Sequence, residues 1–299
     1  MGYHEAVLLK ESIAGLRIDP NGTYVDVTFG GGGHSKSILE KLDKGTLFAF
    51  DQDTDAQKNS IDDNRFVLIN QNFRFMQKFL RLEGVLKVDG ILADLGVSSY
   101  QFDTAKRGFS IREEGELDMR MNTTQELSAK QVVNEYELDD LCRIFREYGE
   151  LKNAYSLAKS ILSARENGEI LTTEDLKEAV KKHVPPHKSN KILAQLFQAI
   201  RIEVNDELKA LKEMLLQSVD LLKEGGRLSV ISYHSLEDRL VKNLIKSGNF
   251  KGEIEKDFYG VPKVILKAIS KKPITASEEE LESNPRSRSA KLRVSEKLA

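Results

Sequence analysis

The chain has 299 residues, 40% of them apolar, and a formal net charge of -2, so it can bury a substantial core as one large α/β domain or two smaller units and exerts no global attraction on nucleic acid. Its single cysteine, Cys142, excludes an intrachain disulfide framework and a cysteine-based zinc cluster, and its place between Leu141 and Arg143 in a helical pattern favours a buried thiol. No apolar run approaches the roughly 20 residues of a membrane span and no basic-then-apolar leader opens the chain, so a cytoplasmic protein that does not enter membranes is expected.

Along the chain, GTYVDVTF (Gly22 to Phe29) reads as a strand, Gly30 to Gly33 as a tight exit, and SKSILEKL as the helix that follows. A second strand, GTLFAFDQD from Gly45 to Asp53, ends in carboxylates. RFVLI suggests a third and VDGILADLG, Val88 to Gly96, a fourth. Strands and helices alternating at this spacing belong to a parallel sheet with right-handed crossovers.

From about Ala129 to Glu224 the pattern is helical, broken at ENGE and at HVPPHKSN. The next strand is GRLSVIS, Gly226 to Ser232, followed by the helix SLEDRLVKNLIKSG, where Ser235 is expected as N-cap with Asp238 as its capping-box partner. Two late runs, PKVILKAIS and SAKLRVS, complete the sheet as a hairpin-like pair. The expected architecture is α/β: a discontinuous domain, residues 1–104 and 200–299, with a helical subdomain inserted at 105–199.

The glycines then need a ligand. A P-loop requires lysine and a hydroxyl residue after its last glycine, whereas Gly33 precedes His34 and Ser35. The GxGxxG pattern, started at Gly30, places Ser35 at its final glycine. Asp51 ends the second strand 18 residues after Gly33, where a carboxylate can accept from both hydroxyls of a ribose. That requirement is common to NAD and S-adenosylmethionine. Asp26, just before the glycines, answers an amino group and repels a pyrophosphate, which favours S-adenosylmethionine. The glycines, Asp51 and Asp94 all fall at carboxyl ends of predicted strands, where such sheets bind ligands.

Asp94 is the first candidate for methyl-transfer chemistry, because an acceptor for amine hydrogens helps localise the lone pair of an exocyclic amine. Its competing role is recognition of the cofactor. Tyr100 can stack on a base or cap the sheet, and Gln101 is an amide partner for cofactor or base. In YHSLEDR, His234 and Arg239 are candidates for target positioning and phosphate contact, with purely structural roles equally open. His34, His183 and His187 lack further ligands at metal-site spacing, and Pro185 and Pro186 break the helical face of the latter two, so no metal is expected. Arg286, Arg288, Lys291 and Arg293 punctuate NPRSRSAKLR, with Lys263, Lys267, Lys271 and Lys272 upstream. These form either a solvated edge or a phosphate-contacting patch.

The blocks HEAVLLKE, DVTFGGGGHS, FDQD, DGILADLGVSSYQFD, RGFS, LDMRM, FQAIRIEVNDEL, GGRLSVISYHSLEDR and NPRSRSAKLR run through nearly the whole chain. Together they resemble the MraW family of bacterial small-subunit ribosomal RNA cytosine-N4 methyltransferases. The resemblance implies a Rossmann-like, class I S-adenosylmethionine-dependent methyltransferase sheet with an inserted all-helical subdomain. The implied reaction is methylation of the N4 amine of one cytidine in the decoding region of 16S rRNA. It implies cofactor contacts from Gly32, Gly33 and His34 beside the methionine part, from Asp51 at the ribose, and from Phe73, Asp94 and Gln101. On that basis cofactor binding becomes the first role of Asp94 and catalysis the second. A homodimer and a small-subunit particle as substrate are further implications. The chain departs from the family pattern at Tyr100, where proline is frequent, and at NKILAQL, Asn190 to Leu196. Two other readings are a methyltransferase for a different RNA or DNA amino group, and a non-catalytic RNA-binding assembly factor.

Overall fold

The computed structural model describes residues 6–299, so His4 and Glu5 of the first block lie outside it. The chain divides into two compact units, Met1–Gly96 with Leu208–Ala299, and Val97–Glu207. The anticipated insertion, 105–199, lies inside the second unit, whose limits fall further out at both ends.

The first unit is built on a seven-stranded sheet of order β3-β2-β1-β4-β5-β7-β6. Its strands are β1 (Thr23–Asp26), β2 (Thr46–Phe50), β3 (Phe66–Ile69), β4 (Val88–Asp94), β5 (Leu222–Ser232), β6 (Leu266–Ala268) and β7 (Lys291–Lys297). β1 to β5 run parallel. Both faces of a parallel sheet are covered, which requires near-continuous apolar strands, and the period of two sorts them. Val25, Phe48, Phe50, Ile91 and Ala93 belong to one buried cluster, and Tyr24, Leu47, Ala49 and Leu92 to the other.

The first face is covered by α3 (Met76–Leu82), α10 (Glu207–Leu221) and α11 (Ser235–Ser247), through Leu80, Met214, Leu215, Val241 and Leu244. The second is covered by α1 (Leu9–Leu16) and α2 (Gly33–Leu39), through Ile13, Leu16 and Ile38. The late pair is present, with β7 antiparallel to β6 and also to β5. β7 therefore sits between strands that both precede it in the chain. Strand order reverses between β1 and β4, the switch point at which such sheets leave a crevice beyond their carboxyl ends.

One local expectation is corrected. The N-cap of α11 is His234, one residue earlier than anticipated, and Ser235 is already helical. The acid that closes this terminus is Glu237, whose carboxylate accepts from the amides of Tyr233 and His234 at 2.9 and 3.3 Å. Asp238 is taken by Arg293 instead, at 2.6 Å.

The second unit is helical: α4 (Ser99–Asp103), α5 (Ala129–Glu135), α6 (Leu138–Glu147), α7 (Ala154–Arg165), α8 (Thr173–Val180) and α9 (Ser189–Asn205). Its core takes Leu141, Ile144 and Phe145 from one face of α6, at the i, i+3, i+4 spacing of an apolar stripe. Three helices start with capping boxes, Ser98 with Gln101, Ser128 with Gln131, and Thr172 with Asp175. The ENGE break follows α7, and HVPPHKSN forms short 3₁₀ turns before α9. Asn205 fastens the long stretch before α5, accepting from Met121 N at 2.7 Å and donating to Met119 O at 2.8 Å. Cys142 is buried on α6, and burial raises its thiol pKa. Among the described residues, no helix is long and apolar enough to cross a membrane.

Candidate active site

The four glycines after β1 do not all answer one demand. Gly30 and Gly32 have φ of 51° and 77°, values that favour glycine. A Cβ on Gly33 would approach the side chain of Ala6 to 3.0 Å, while one on Gly31 would meet nothing within 4 Å. Neither backbone angle nor packing asks for glycine at 31. Gly31 is exposed and leaves its backbone open to approach from outside the chain.

Asp51, at the carboxyl end of β2, fixes this loop. Its Oδ2 accepts from Gly30 N and its Oδ1 from Asp53 N, both at 2.8 Å. Each oxygen keeps a lone pair for a further donor. Asn59 Nδ2 ties Gly30 O at 3.0 Å, and Asn70 Nδ2 ties Asp51 O at 2.9 Å. Burial raises the Asp51 pKa to about 6, against the hydrogen bonds from Asp53 and Gly30 that lower it. Phe73 follows β3 in a 3₁₀ turn capped by Asn72, and packs half-buried on the sheet's first cluster.

Asp26 takes a different part from the one expected. It is fully buried, so it cannot touch a ligand amino group directly. Instead it accepts from Ser35 Oγ at 2.7 Å and from Thr28 N at 3.1 Å, and Thr28 Oγ1 in turn accepts from Asp94 N at 2.6 Å. Asp26 holds the two strand ends together. The carboxylate that retains access is Asp94, with 23% of its side chain exposed.

Asp94 ends β4. Tyr233, at the end of β5, donates its hydroxyl to Asp94 Oδ1 at 2.7 Å, and His34 Nδ1 lies 3.8 Å from Asp94 Oδ2. The far side of the His34 ring is anchored, with Nε2 3.1 Å from Val7 O. Burial raises Asp94 to about 6, with His34 and Tyr233 opposing it and Asp26 and Glu237 adding to it. Tyr233 is pushed well above its ordinary value, chiefly by burial and then by Asp94. Beside it, the His234 ring is buried with neither nitrogen hydrogen-bonded. Its Nε2 lies 3.2 Å from Glu237 Oε1 without the alignment of a hydrogen bond.

Across the whole chain, residues 1–298 match the model of the MraW methylase family. The chain belongs to that family. It is 60% identical over 299 residues to the ribosomal RNA small subunit methyltransferase H of Flavobacterium johnsoniae, covering 100% of this chain and 99% of the relative. The enzymes of the same description from Amoebophilus asiaticus and Phocaeicola vulgatus are 57% and 54% identical, each covering 99% of this chain and 96% or 97% of the relative. This MraW methylase has the Rossmann-like class I sheet with helical insertion and uses S-adenosylmethionine.

The crevice at these strand ends suits that cofactor by its acceptors. Beyond β1, β2 and β4 it offers the carboxylates Asp51 and Asp94 and an open glycine, acceptors for hydroxyls and for positive charge and a poor match to a pyrophosphate. Tyr233, Glu237, Thr28 and Ser35 did not emerge from the sequence reading as parts of this site. Tyr233 had one available signal, its place beside His234 at the end of a predicted strand.

The remaining candidates stand on other elements of the chain. Gln101 sits on α4 of the helical unit, buried, its Oε1 accepting from Ser98 N at 3.0 Å to close a capping box. Tyr100, on the same helix, is 52% exposed. Arg239 and Arg288 are exposed and Arg286 half-buried. Lys291 lies 3.8 Å from Asp238 and stays 45% exposed. Arg293, expected on the phosphate patch, is instead clamped by Asp238 through two bonds of 2.6 and 3.2 Å with 14% of its side chain exposed. Its position on β7 turns it toward α11, where that acid waits.

Proposed function

We propose that this protein transfers the methyl group of S-adenosylmethionine to the N4 amine of a cytidine in the decoding region of 16S rRNA, on small-subunit particles in the cytoplasm. Membership of the MraW family over residues 1–298 carries the reading, and the acceptor-lined pocket supports it.

In this reading Asp51 accepts from the ribose hydroxyls, Gly32, Gly33 and His34 border the methionine part, and Phe73 and Gln101 complete the cofactor contacts. Asp94 answers the cofactor's positive charge. The cofactor supplies an electrophilic methyl on a sulfonium. When bound, it would give that methyl to the N4 lone pair while the S–C bonding electrons stay with sulfur, and the proton lost by N4 would pass to Asp94 or to water. Asp94 can accept hydrogens from the amine as its lone pair localises, and its pKa of about 6 leaves it mostly ionised at neutral pH. Tyr100 stacks on a base and His234 positions the target. The helical unit recognises the substrate, and Arg239, Arg286, Arg288 and Lys291 contact phosphate. The protein works as a homodimer.

The test is transfer of labelled methyl from S-adenosylmethionine to small subunits isolated from cells lacking the protein, with nucleoside mass analysis of the 16S rRNA. N4-methylcytidine is expected. No incorporation by folded protein overturns the proposal, and a different methylated nucleoside redirects it.

A further inference from the structure

A second surface lies away from the acid-lined pocket, at the β6 edge of the sheet. A cavity of about 530 Å³ opens there between the later turns of α11 and the β6–β7 pair. Lys242, Lys246, Lys267, Lys271 and Lys272 rim it over an apolar floor that includes Ile245, Leu266 and Val294, and no acidic residue is among the described residues lining it. Arg293 also reaches it, but is neutralised by Asp238. All five lysines are exposed. In a protein of net charge -2, this is a concentration of one sign.

The chain that leaves α11 rises as a small finger before it returns to line this groove at Val264 and Leu266. Lys256 and Pro262 form an antiparallel bridge, and Lys263 N donates to Glu255 O at 2.8 Å. The tip is ordered by Asp257, whose Oδ1 accepts from the amides of Tyr259 and Val261, each at 2.9 Å. Phe258 and Tyr259 stand on that tip, 98% and 86% exposed, edge to face with centroids 5.6 Å apart. On the finger itself Lys251, Lys256 and Lys263 are balanced by Glu253, Glu255 and Asp257. The groove therefore supplies the charge and the tip supplies the rings.

We infer that this groove and finger form a binding site for single-stranded RNA, distinct from the methyl-transfer pocket. The lysines take successive phosphates, and Phe258 and Tyr259 take unstacked bases. Rings held out on an ordered tip beside a cationic groove are the pairing that single strands require, since every base offers a face to stack and every linkage a negative charge. A second copy of this chain is a poorer occupant. A two-fold interface places the same patch against itself, which would set lysine rim against lysine rim. The inference rests on an RNA substrate, as proposed above, and adds an anchor remote from the reacting amine. It should act on RNA affinity and KM rather than on kcat.

The experiment is fluorescence anisotropy of the full chain with fluorescein-labelled oligouridine over a series of potassium chloride concentrations. Three proteins are compared: wild type, Phe258→Ala with Tyr259→Ala, and Lys271→Ala with Lys272→Ala. The aromatic variant is expected to bind about tenfold or more weakly at unchanged salt slope, given the usual worth of base–aromatic stacking. The lysine variant is expected to flatten the log–log salt slope by about 0.7 for each phosphate that is no longer neutralised. S-adenosylmethionine affinity should be unchanged in both, because no substituted residue lies at the pocket. Wild-type affinity and slope in both variants overturn the inference. So does an aromatic variant that sediments as a smaller species with RNA binding intact, which assigns the surface to a second copy. The probe reads binding without turnover. Loss of methylation on small subunits with finger-dependent binding retained counts against the proposed reaction alone, and the reverse outcome against this site alone.

Discussion

The two units use burial in opposite ways. The helical unit hides an apolar cluster around α6, with Phe145 and Ile144 fully buried and its helix starts closed by capping boxes. The sheet unit, at its carboxyl ends, hides acids: Asp26 entirely, Asp51 and Asp94 in part, both held near pKa 6 by burial. A buried apolar side chain stabilises the fold by itself. A buried carboxylate costs stability until a partner arrives. The contrast separates a sheet unit that keeps two acids partly open at its strand ends from a helical unit whose buried contacts are apolar.

The largest effect that would sharpen this contrast is a cavity in the helical unit. Phe145→Ala should destabilise the protein by about 3–5 kcal/mol, read by denaturant unfolding, while cofactor affinity in the surviving native fraction stays unchanged. Loss of affinity without loss of stability would break the division. Next, Asp51→Ala should leave unfolding nearly unaltered and weaken S-adenosylmethionine by roughly tenfold to a hundredfold, since a hydrogen bond to a charged group is worth about 1.5–3 kcal/mol. Titration calorimetry decides it, and wild-type affinity removes Asp51 from the ribose.

Acidity gives the third effect. Asp51 and Asp94 have folded pKa values raised from 3.8 to about 6. The stability these groups contribute to the unliganded protein is therefore present below about 4 and is lost as pH rises toward and through 6. Cofactor affinity should run the other way, falling as pH drops through about 6, because binding needs the ionised carboxylates. Tyr233→Phe removes a hydrogen bond that lowers the Asp94 pKa, so the midpoint of that fall should move to higher pH. A pH-independent affinity from below 5 to above 7 would dismiss the carboxylates as the ligand's partners.

The two smallest effects lie outside both cores. Ser128→Ala removes the cap of α5 and should cost about 1 kcal/mol in denaturation of the helical unit. Arg288→Ala, at an exposed cation, should lower the salt slope of RNA binding by about 0.7–0.9. The same slope as wild type would place Arg288 outside the phosphate contacts.

The fold was legible wherever local pattern is enough. Short, near-continuous apolar runs, several ending in acids or glycines, mark the strands, and the long helical stretch with breaks at ENGE and HVPPHKSN marks the insertion's helices. The carboxyl-end positions of the glycines, Asp51 and Asp94 follow from the same pattern, because a strand's end and the loop after it are adjacent in sequence. The cap of α11 falls on His234, one residue before the expected Ser235, because Glu237 reaches back to the His234 amide.

Long-range pairing decided the rest. Asp26 and Asp51 look alike as acids closing strands, yet one is enclosed by Ser35 and Thr28 while the other faces the open glycine loop. Tyr233 meets Asp94 only because β5 lies beside β4. Arg293 looked like one more cation in a basic run until β7, inserted beside β5, brought it against Asp238. The amino-acid order by itself determined which residue types stand at each strand end and which helices can form, since those depend on neighbours a few positions away. Which carboxylates remain open to a ligand, and which cations remain open to phosphate, was decided by tertiary structure, because a charge is spent on whatever partner the fold places within a few ångströms of it.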